Sequence, residues 1–216
     1  LNHRLKAAGS KQTVVFFVVS RQPFRSIIAE VLHRRAVMED LRKNCEAVKN
    51  QIGDRLFVSL AKGEMPRVDE LIDDYWRLRL RRTVLAWKTK KLPSVITHDL
   101  YEDGSNEVLN AFRRCNLINL KEDPVKVVYH PDFISSTDPL FGMDYDHFVR
   151  GCHMGIFPSL YEPWGYAPLE CMALGLPSVT SDVSGFGSYV QKNIPDHQSR
   201  GIMVVKRRHA TYDQSA

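Results

Sequence analysis

The chain has 216 residues, 44% of them apolar and 25% charged, with a formal net charge of +5. This is an ordinary globular composition, long enough for one good core plus an excursion or for two small domains. No apolar run approaches the roughly 20 residues that span a bilayer, and the modest charge does not call for a nucleic-acid partner. Cys45, Cys115, Cys152 and Cys171 are scattered without C-x-x-C spacing. That suits reduced thiols in a cytoplasmic protein better than a disulfide frame or a zinc site. The chain opens without Met on Leu1-Asn2-His3-Arg4, has no signal-peptide pattern, and ends abruptly in Thr211-Tyr212-Asp213-Gln214-Ser215-Ala216. It reads as a piece of something longer.

Residues 13–20 form a continuous apolar run, as expected of a strand buried on both faces of a parallel sheet. Ile28, Val31, Met38, Leu41, Cys45, Val48 and Ile52 then recur at steps of three, four and seven. This predicts one long amphipathic helix over 27–60, with some coiled-coil flavour that Arg34 and Arg55 weaken. Gly63-Glu64-Met65-Pro66 breaks it. Further helices are predicted over 68–90 and 105–116. Strands follow at 125–129, 155–157, 177–180 and 201–205, and helices at 145–152 and 169–174 separate the first three of them. The alternation predicts an α/β fold with a Rossmann-like parallel sheet and a long helical insertion. The expected division is 1–26 as the start of the Rossmann-like domain, 27–124 as the insertion and possible oligomerisation arm, and 125–216 as the truncated remainder. The basic run Arg77, Arg79, Arg81 and Arg82, followed by Lys88, Lys90 and Lys91, reads as a solvated helix face. A nucleic-acid footprint and an acidic partner segment are the alternatives.

The richest stretch is Tyr161-Glu162-Pro163-Trp164-Gly165-Tyr166-Ala167-Pro168-Leu169-Glu170. Two carboxylates flank a strand-to-helix turn, with Pro168 in the first helical turn and Gly175 as the stop. The amino end of such a helix carries unpaired N–H groups and partial positive charge, and ligands of open α/β sheets bind at the carboxyl ends of strands. That place suits a phosphate, with Glu162 before the helix and Glu170 in its first turn gripping the flanking parts of a ligand. The plainer reading makes Glu170 a dipole-stabilising carboxylate and Glu162 a turn residue. His147, Cys152 and His153 do not share one helical face in ligand geometry, and His98 and His130 read as structural histidines.

The run Asp144-Tyr145-Asp146-His147-Phe148-Val149-Arg150-Gly151-Cys152-His153, continuing through Phe157-Pro158-Ser159 and Glu162-Pro163-Trp164-Gly165-Tyr166, resembles eukaryotic glycogen synthases. So do Glu170-Cys171, Ser184-Gly185-Phe186-Gly187 and Tyr129-His130-Pro131-Asp132-Phe133. The likeness is dense over 125–187 and weak in the helical insertion. It implies one half of a GT-B fold and a retaining transfer of glucose from UDP-glucose to the 4-hydroxyl at a glycogen chain end. By the same resemblance Glu162 is catalytic beside the donor glucose, and Glu170 holds the ribose. Tyr145 stacks on uracil, the amides of Gly165, Tyr166 and Ala167 meet the diphosphate, and Trp164 shapes the pocket. The class works without a metal or other cofactor. The resemblance further implies UDP-glucose, the glycogen chain end, glycogenin and a second copy of the chain as partners, with no nucleic acid and no membrane. A sucrose- or starch-synthase-type transferase and a non-catalytic assembly module of the same fold are the alternatives. The family's N-terminal Rossmann domain lies outside these residues, and Lys206, Arg207 and Arg208 are out of register with its glucose 6-phosphate switch. The 216-residue piece alone is therefore expected not to transfer glucose.

Overall fold

The computed structural model describes residues 1–88 and 92–208 and divides into two units, Leu1–Phe133 and Ile134–Ala216. Lys90, Lys91 and the terminal run from Thr211, considered above, lie outside the described residues. In chain order the first unit holds α1 (Asn2–Ala7), β1 (Val14–Val19), β2 (Phe24–Ile27), α2 (Ala29–Ala61), α3 (Asp74–Trp87), β3 (His98–Leu100), α4 (Glu107–Arg114) and β4 (Val125–His130). Strands β1 and β4 run parallel in a register from Val14↔Val125 to Val19↔His130. Strands β2 and β3 form an antiparallel pair with an irregularity between Phe24 and Ser26.

The first unit's core gathers Ile96, Leu100, Leu109 and Tyr129, with Val18, Phe24, Ile28 and Phe112 packed around them. Burial of each large apolar side chain is worth about 1.5–3 kcal/mol. Helix α4 starts where Asn106 accepts a hydrogen bond from the Leu109 amide (3.0 Å), a standard N-cap. Asp123 takes hydrogen bonds from Asn2 (3.1 Å) and Lys6 (2.5 Å), tying α1 to the start of β4. Lys6 first, then Asn2, hold the Asp123 carboxyl below the usual aspartate range against the opposing cost of burial. Strand β1 departs from the expectation of burial on both faces. Val15, Phe17 and Val19 are 46%, 42% and 39% exposed while their neighbours are partly buried, so β1 alternates as a one-sided strand does.

Helix α2 runs 33 residues, close to the predicted 27–60, and packs against α3. Its buried positions are Asn44 and Val48 rather than the whole apolar stripe, and Met38 and Cys45 face outward. Polar side chains join it to α3. Asn44 accepts from Arg79 Nε (2.8 Å) and donates to Asp40 (2.9 Å), while Thr83 donates to Asp40 (3.3 Å) and Arg79 Nη2 reaches Asp40 (3.0 Å). Toward the end of α2, Arg55 pairs with Asp73 (2.6 Å), and Gln51 donates to the same carboxylate (2.5 Å). Arg55, which weakens the heptad on paper, is thus a tether to the start of α3. Arg79 likewise turns toward α2, and Arg77 bonds to the Asp69 carbonyl (2.7 Å), so the basic run partly serves the arm itself. Helix α3 begins at Asp74, six residues later than predicted, because residues 68–72 form turns that Arg55 and Arg77 hold through the Glu70 and Asp69 carbonyls.

The second unit contains α5 (Tyr145–Arg150), β5 (Gly155–Ile156), α6 (Tyr166–Ala173), β6 (Ser178–Ser181), α7 (Gly185–Asn193) and β7 (Ile202–Val205). Its three strands lie in the order β5-β6-β7, all parallel, with α6 and α7 as the crossovers. Val149, Cys171 and Leu176 form one core cluster; Phe186, Val190 and Ile202 form another. Helix α6 ends in a Schellman motif. The Gly175 amide (φ +84°) bonds to Met172 and the Leu176 amide to Cys171, both at 2.9 Å, and buried Cys171 and Leu176 close the apolar contact.

Candidate functional site

The carboxyl ends of the parallel strands β5 and β6 set the site. After β5 the chain crosses residues 157–165 and enters α6 at Gly165. This loop is pinned at four carbonyls. Pro158 accepts from Arg207 (3.0 Å), Ser159 from the Ser181 hydroxyl (2.9 Å), Glu162 from the Gly185 amide (3.1 Å) and Trp164 from the Phe186 amide (2.7 Å). A β-carbon at Gly185 would stand 2.0 Å from the Pro163 carbonyl oxygen, so only glycine allows α7 to begin this close to the loop.

Gly165 occupies the N-cap of α6 with φ 95° and ψ 85°, a left-handed conformation that suits glycine. A β-carbon there would also lie 2.9 Å from Glu162 Oε2. No side chain caps α6, and Pro168, its third residue, has no N–H. The amides of Tyr166 and Ala167 therefore stand at a helix end with partial positive charge and no intrahelical acceptor. The half-buried Glu162 side chain accepts a hydrogen bond from Ser159 Oγ (2.9 Å) at the mouth of this turn.

Glu170 is exposed and lies in the second turn of α6, not the first. The sequence predicts the helix from 169 and so puts Glu170 in its first turn, whereas α6 starts three residues earlier, at Tyr166. The left-handed glycine permits that early start. Tyr145 is the first residue of α5 and is 40% exposed. Partial burial pushes its phenol above the usual tyrosine range, and the ionised forms of Cys171, Glu170 and Cys152 push further in the same direction. Tyr145 and Glu170 are thus electrostatic neighbours across two elements. Tyr166 is 67% exposed, beside Ala167 at the helix start. Trp164 packs on α7, its ring centroid 6.0 Å from Phe186 and 5.8 Å from Tyr189.

Several contributors carried no signal in the sequence. Asp182, just past β6, accepts from the backbone amides of Arg207 (2.7 Å) and Arg208 (3.1 Å), and Arg208 Nη2 returns to the Asp182 carbonyl (2.9 Å). The strand end after β7 is thereby fixed at the same edge as the β5 loop. Ser181 was equally silent, and Ser159, though part of the Phe157-Pro158-Ser159 run that carries the resemblance, had no role assigned to it. Asp144, Asp146 and His147 each bring a ligand atom within 4.8 Å of the others, a grouping different from the His147, Cys152 and His153 considered above, and all three are exposed.

Parallel strands joined by helices, with a glycine-started helix at a strand's carboxyl end, define a Rossmann-like α/β unit. The protein-family model described as glycogen synthase matches residues 1–216. The glycogen [starch] synthase of Caenorhabditis elegans is 41% identical over 219 residues, covering 100% of this chain and 32% of that protein. That of Neurospora crassa is 43% identical over 219 residues (100% and 31%), and the liver glycogen [starch] synthase of Mus musculus is 40% identical over 215 residues (100% and 30%). The chain belongs to the glycogen synthase family. It spans about a third of the length of the curated relatives it matches. Among the described residues no helix is long and apolar enough to cross a membrane.

Proposed function

We propose that this chain is the nucleotide-sugar-binding part of a glycogen synthase. The enzyme would transfer glucose from UDP-glucose to the non-reducing 4-hydroxyl of an α-1,4-glucan with retention of configuration. The observation that carries the reading is the turn itself: the uncapped start of α6 and the Glu162 carboxylate meet at Gly165, where a β-carbon would touch that carboxylate.

Breaking the bond between glucose and UDP leaves positive charge on the sugar and negative charge on the diphosphate. The Gly165, Tyr166 and Ala167 amides are placed to hold the diphosphate, as oxyanion donors do, and Glu162 favours the cationic sugar. Tyr145 would stack on uracil and Glu170 would accept from the ribose hydroxyls; the Glu170 charge is near enough to raise the Tyr145 phenol pKa. Trp164, seated on α7, would shape the pocket by fixing the turn rather than by lying open to ligand. This chemistry needs no metal and no cofactor beyond the sugar nucleotide donor. Family resemblance adds a glycogen chain end, glycogenin and further copies of the chain as partners, in the cytoplasm.

In the full-length protein, Glu162→Ala should lower kcat by about 10²-fold or more, the scale set by loss of one preorganised electrostatic group, with the melting temperature preserved. Near wild-type turnover would remove Glu162 from the mechanism. Tyr145→Ala should raise KM for UDP-glucose, since stacking on a base is worth about 1–3 kcal/mol.

A further inference from the structure

We infer that Ser159 is a positioning residue for Glu162, fixing the carboxylate in one orientation before substrate arrives; this rests on the reading of Glu162 as the carboxylate beside the donor sugar. Two neighbours define the carboxylate's seat. The Ser159 hydroxyl donates to Glu162 Oε2 at 2.9 Å. Gly165 stands against it too: an added β-carbon there would lie 2.9 Å from the same oxygen and 3.2 Å from the carboxyl carbon. The carboxylate thus has a hydrogen-bond donor and a close backbone, both within reach of one oxygen.

The donor is itself held from behind. The Ser159 carbonyl accepts from Ser181 Oγ at 2.9 Å, and Ser181 is 1% exposed at the end of β6. The Ser159 amide donates to the Phe157 carbonyl (3.0 Å), and Arg207 holds the adjacent Pro158 carbonyl (3.0 Å). Glu162 is anchored at its own backbone by the bridge to Ser184 and the Gly185 amide. A long, rotamer-rich side chain is therefore attached to a fixed backbone and steered by a fixed hydroxyl. A half-buried serine backed by the buried Ser181, steering a half-buried carboxylate, is an arrangement that preorganises an acid group. Its effect should fall on the step in which charge develops, not on donor binding, because Ser159 is not among the groups assigned to the nucleotide.

The test uses the full-length protein, with UDP-glucose as donor and glycogen as acceptor. Ser159→Ala should lower kcat about tenfold to a hundredfold, the range for a small misplacement of a reacting group. KM for UDP-glucose and the melting temperature should stay near wild type, and Ser159→Thr, which keeps the hydroxyl, should restore most of the rate. An unchanged kcat in Ser159→Ala would overturn the inference. So would a rate loss that follows a matching loss of thermal stability and is not recovered by threonine. Failure of the underlying functional reading looks different, because the wild-type protein would then transfer no glucose. In that case the crystal structure of Ser159→Ala decides: a Glu162 carboxylate turned away from the Gly165 side supports the steering role, and an unmoved one refutes it.

Discussion

The helical arm and the parallel β/α unit both bury polar atoms at their contacts, but by opposite means. Where α2 meets α3, long side chains do the joining: Arg79 reaches the buried Asn44 and the half-exposed Asp40, and Arg55 reaches Asp73 at a position water still touches. In the β/α unit the joining groups are short. Ser178, Thr180, Ser181 and Ser184 are each 2% exposed or less, and glycines let one backbone rest on another. Long partners tolerate movement, because several rotamers can make the same bond. Short ones have fewer rotamers with which to do so, so the contacts of the β/α unit allow less rearrangement than those of the arm.

This contrast is open to direct attack. The largest effect should come from Gly185→Ala, whose new β-carbon would lie 2.0 Å from the Pro163 carbonyl oxygen. A backbone collision of this kind should cost about 3 kcal/mol or more, at the upper end of overpacking penalties. Hydrogen exchange should show the loss concentrated in β6 and α7. In the arm, Asn44→Ala should cost about 1–2 kcal/mol, because it deletes a buried side chain that accepts from Arg79 and donates to Asp40. Urea unfolding of the full-length variant would measure it. A glycine in the arm should behave oppositely to Gly185. Gly53 sits inside α2 with nothing within 4 Å of an added β-carbon, so Gly53→Ala should stabilise the arm by about 0.5–1 kcal/mol. If Gly53→Ala and Gly185→Ala shifted stability alike, the distinction between the regions would fail.

The smallest effect is pH-dependent and tests the link between α1 and β4. Lys6 and Asn2 lower the folded Asp123 pKa. A lowered acid pKa contributes stability that is fully present above the unfolded aspartate value of about 3.9 and is lost as pH falls through the lower folded value. Exchange protection at Val125 should therefore hold at pH 5 and above and decline below pH 4. In Asp123→Asn that decline should disappear.

The order of the later strands and helices was legible because apolar runs and Gly or Pro stops report directly on the backbone. The predicted strands at 125–129, 155–157, 177–180 and 201–205 each overlap an observed one. The long helix was equally plain, but its buried face was not. Apolar periodicity cannot register that Asn44, Arg79 and Asp40 would satisfy one another, since that depends on which helix packs alongside. Helix α7 escaped notice because Gly185-Phe186-Gly187 lacks helix propensity; Ser184 starts it by accepting from the Gly187 amide (3.0 Å). At the candidate site, Glu162 and Glu170 stand out as carboxylates because a strand exit, a glycine turn and a helix start lie between them. The turn in which Glu170 sits could not, because it hinges on Gly165 adopting a positive φ. Ser159 and Ser181 have no residue-type signature at all, and their role exists only once the β5 loop lies against the end of β6.

One hydroxyl in the first unit has a bookkeeping consequence of its own. Thr97 Oγ1 lies 2.8 Å from His98 Nδ1, 3.0 Å from His130 Nδ1 and 3.2 Å from the Tyr129 carbonyl oxygen, yet it owns a single hydrogen. The carbonyl can only accept. If Thr97 gives its hydrogen to that carbonyl, both imidazoles must carry hydrogen on Nδ1; if it gives it to one imidazole, the other must supply its own. The two histidines, one on β3 and one on β4, therefore cannot choose their tautomers independently. A threonine between them makes the protonation pattern of one strand a condition on the other.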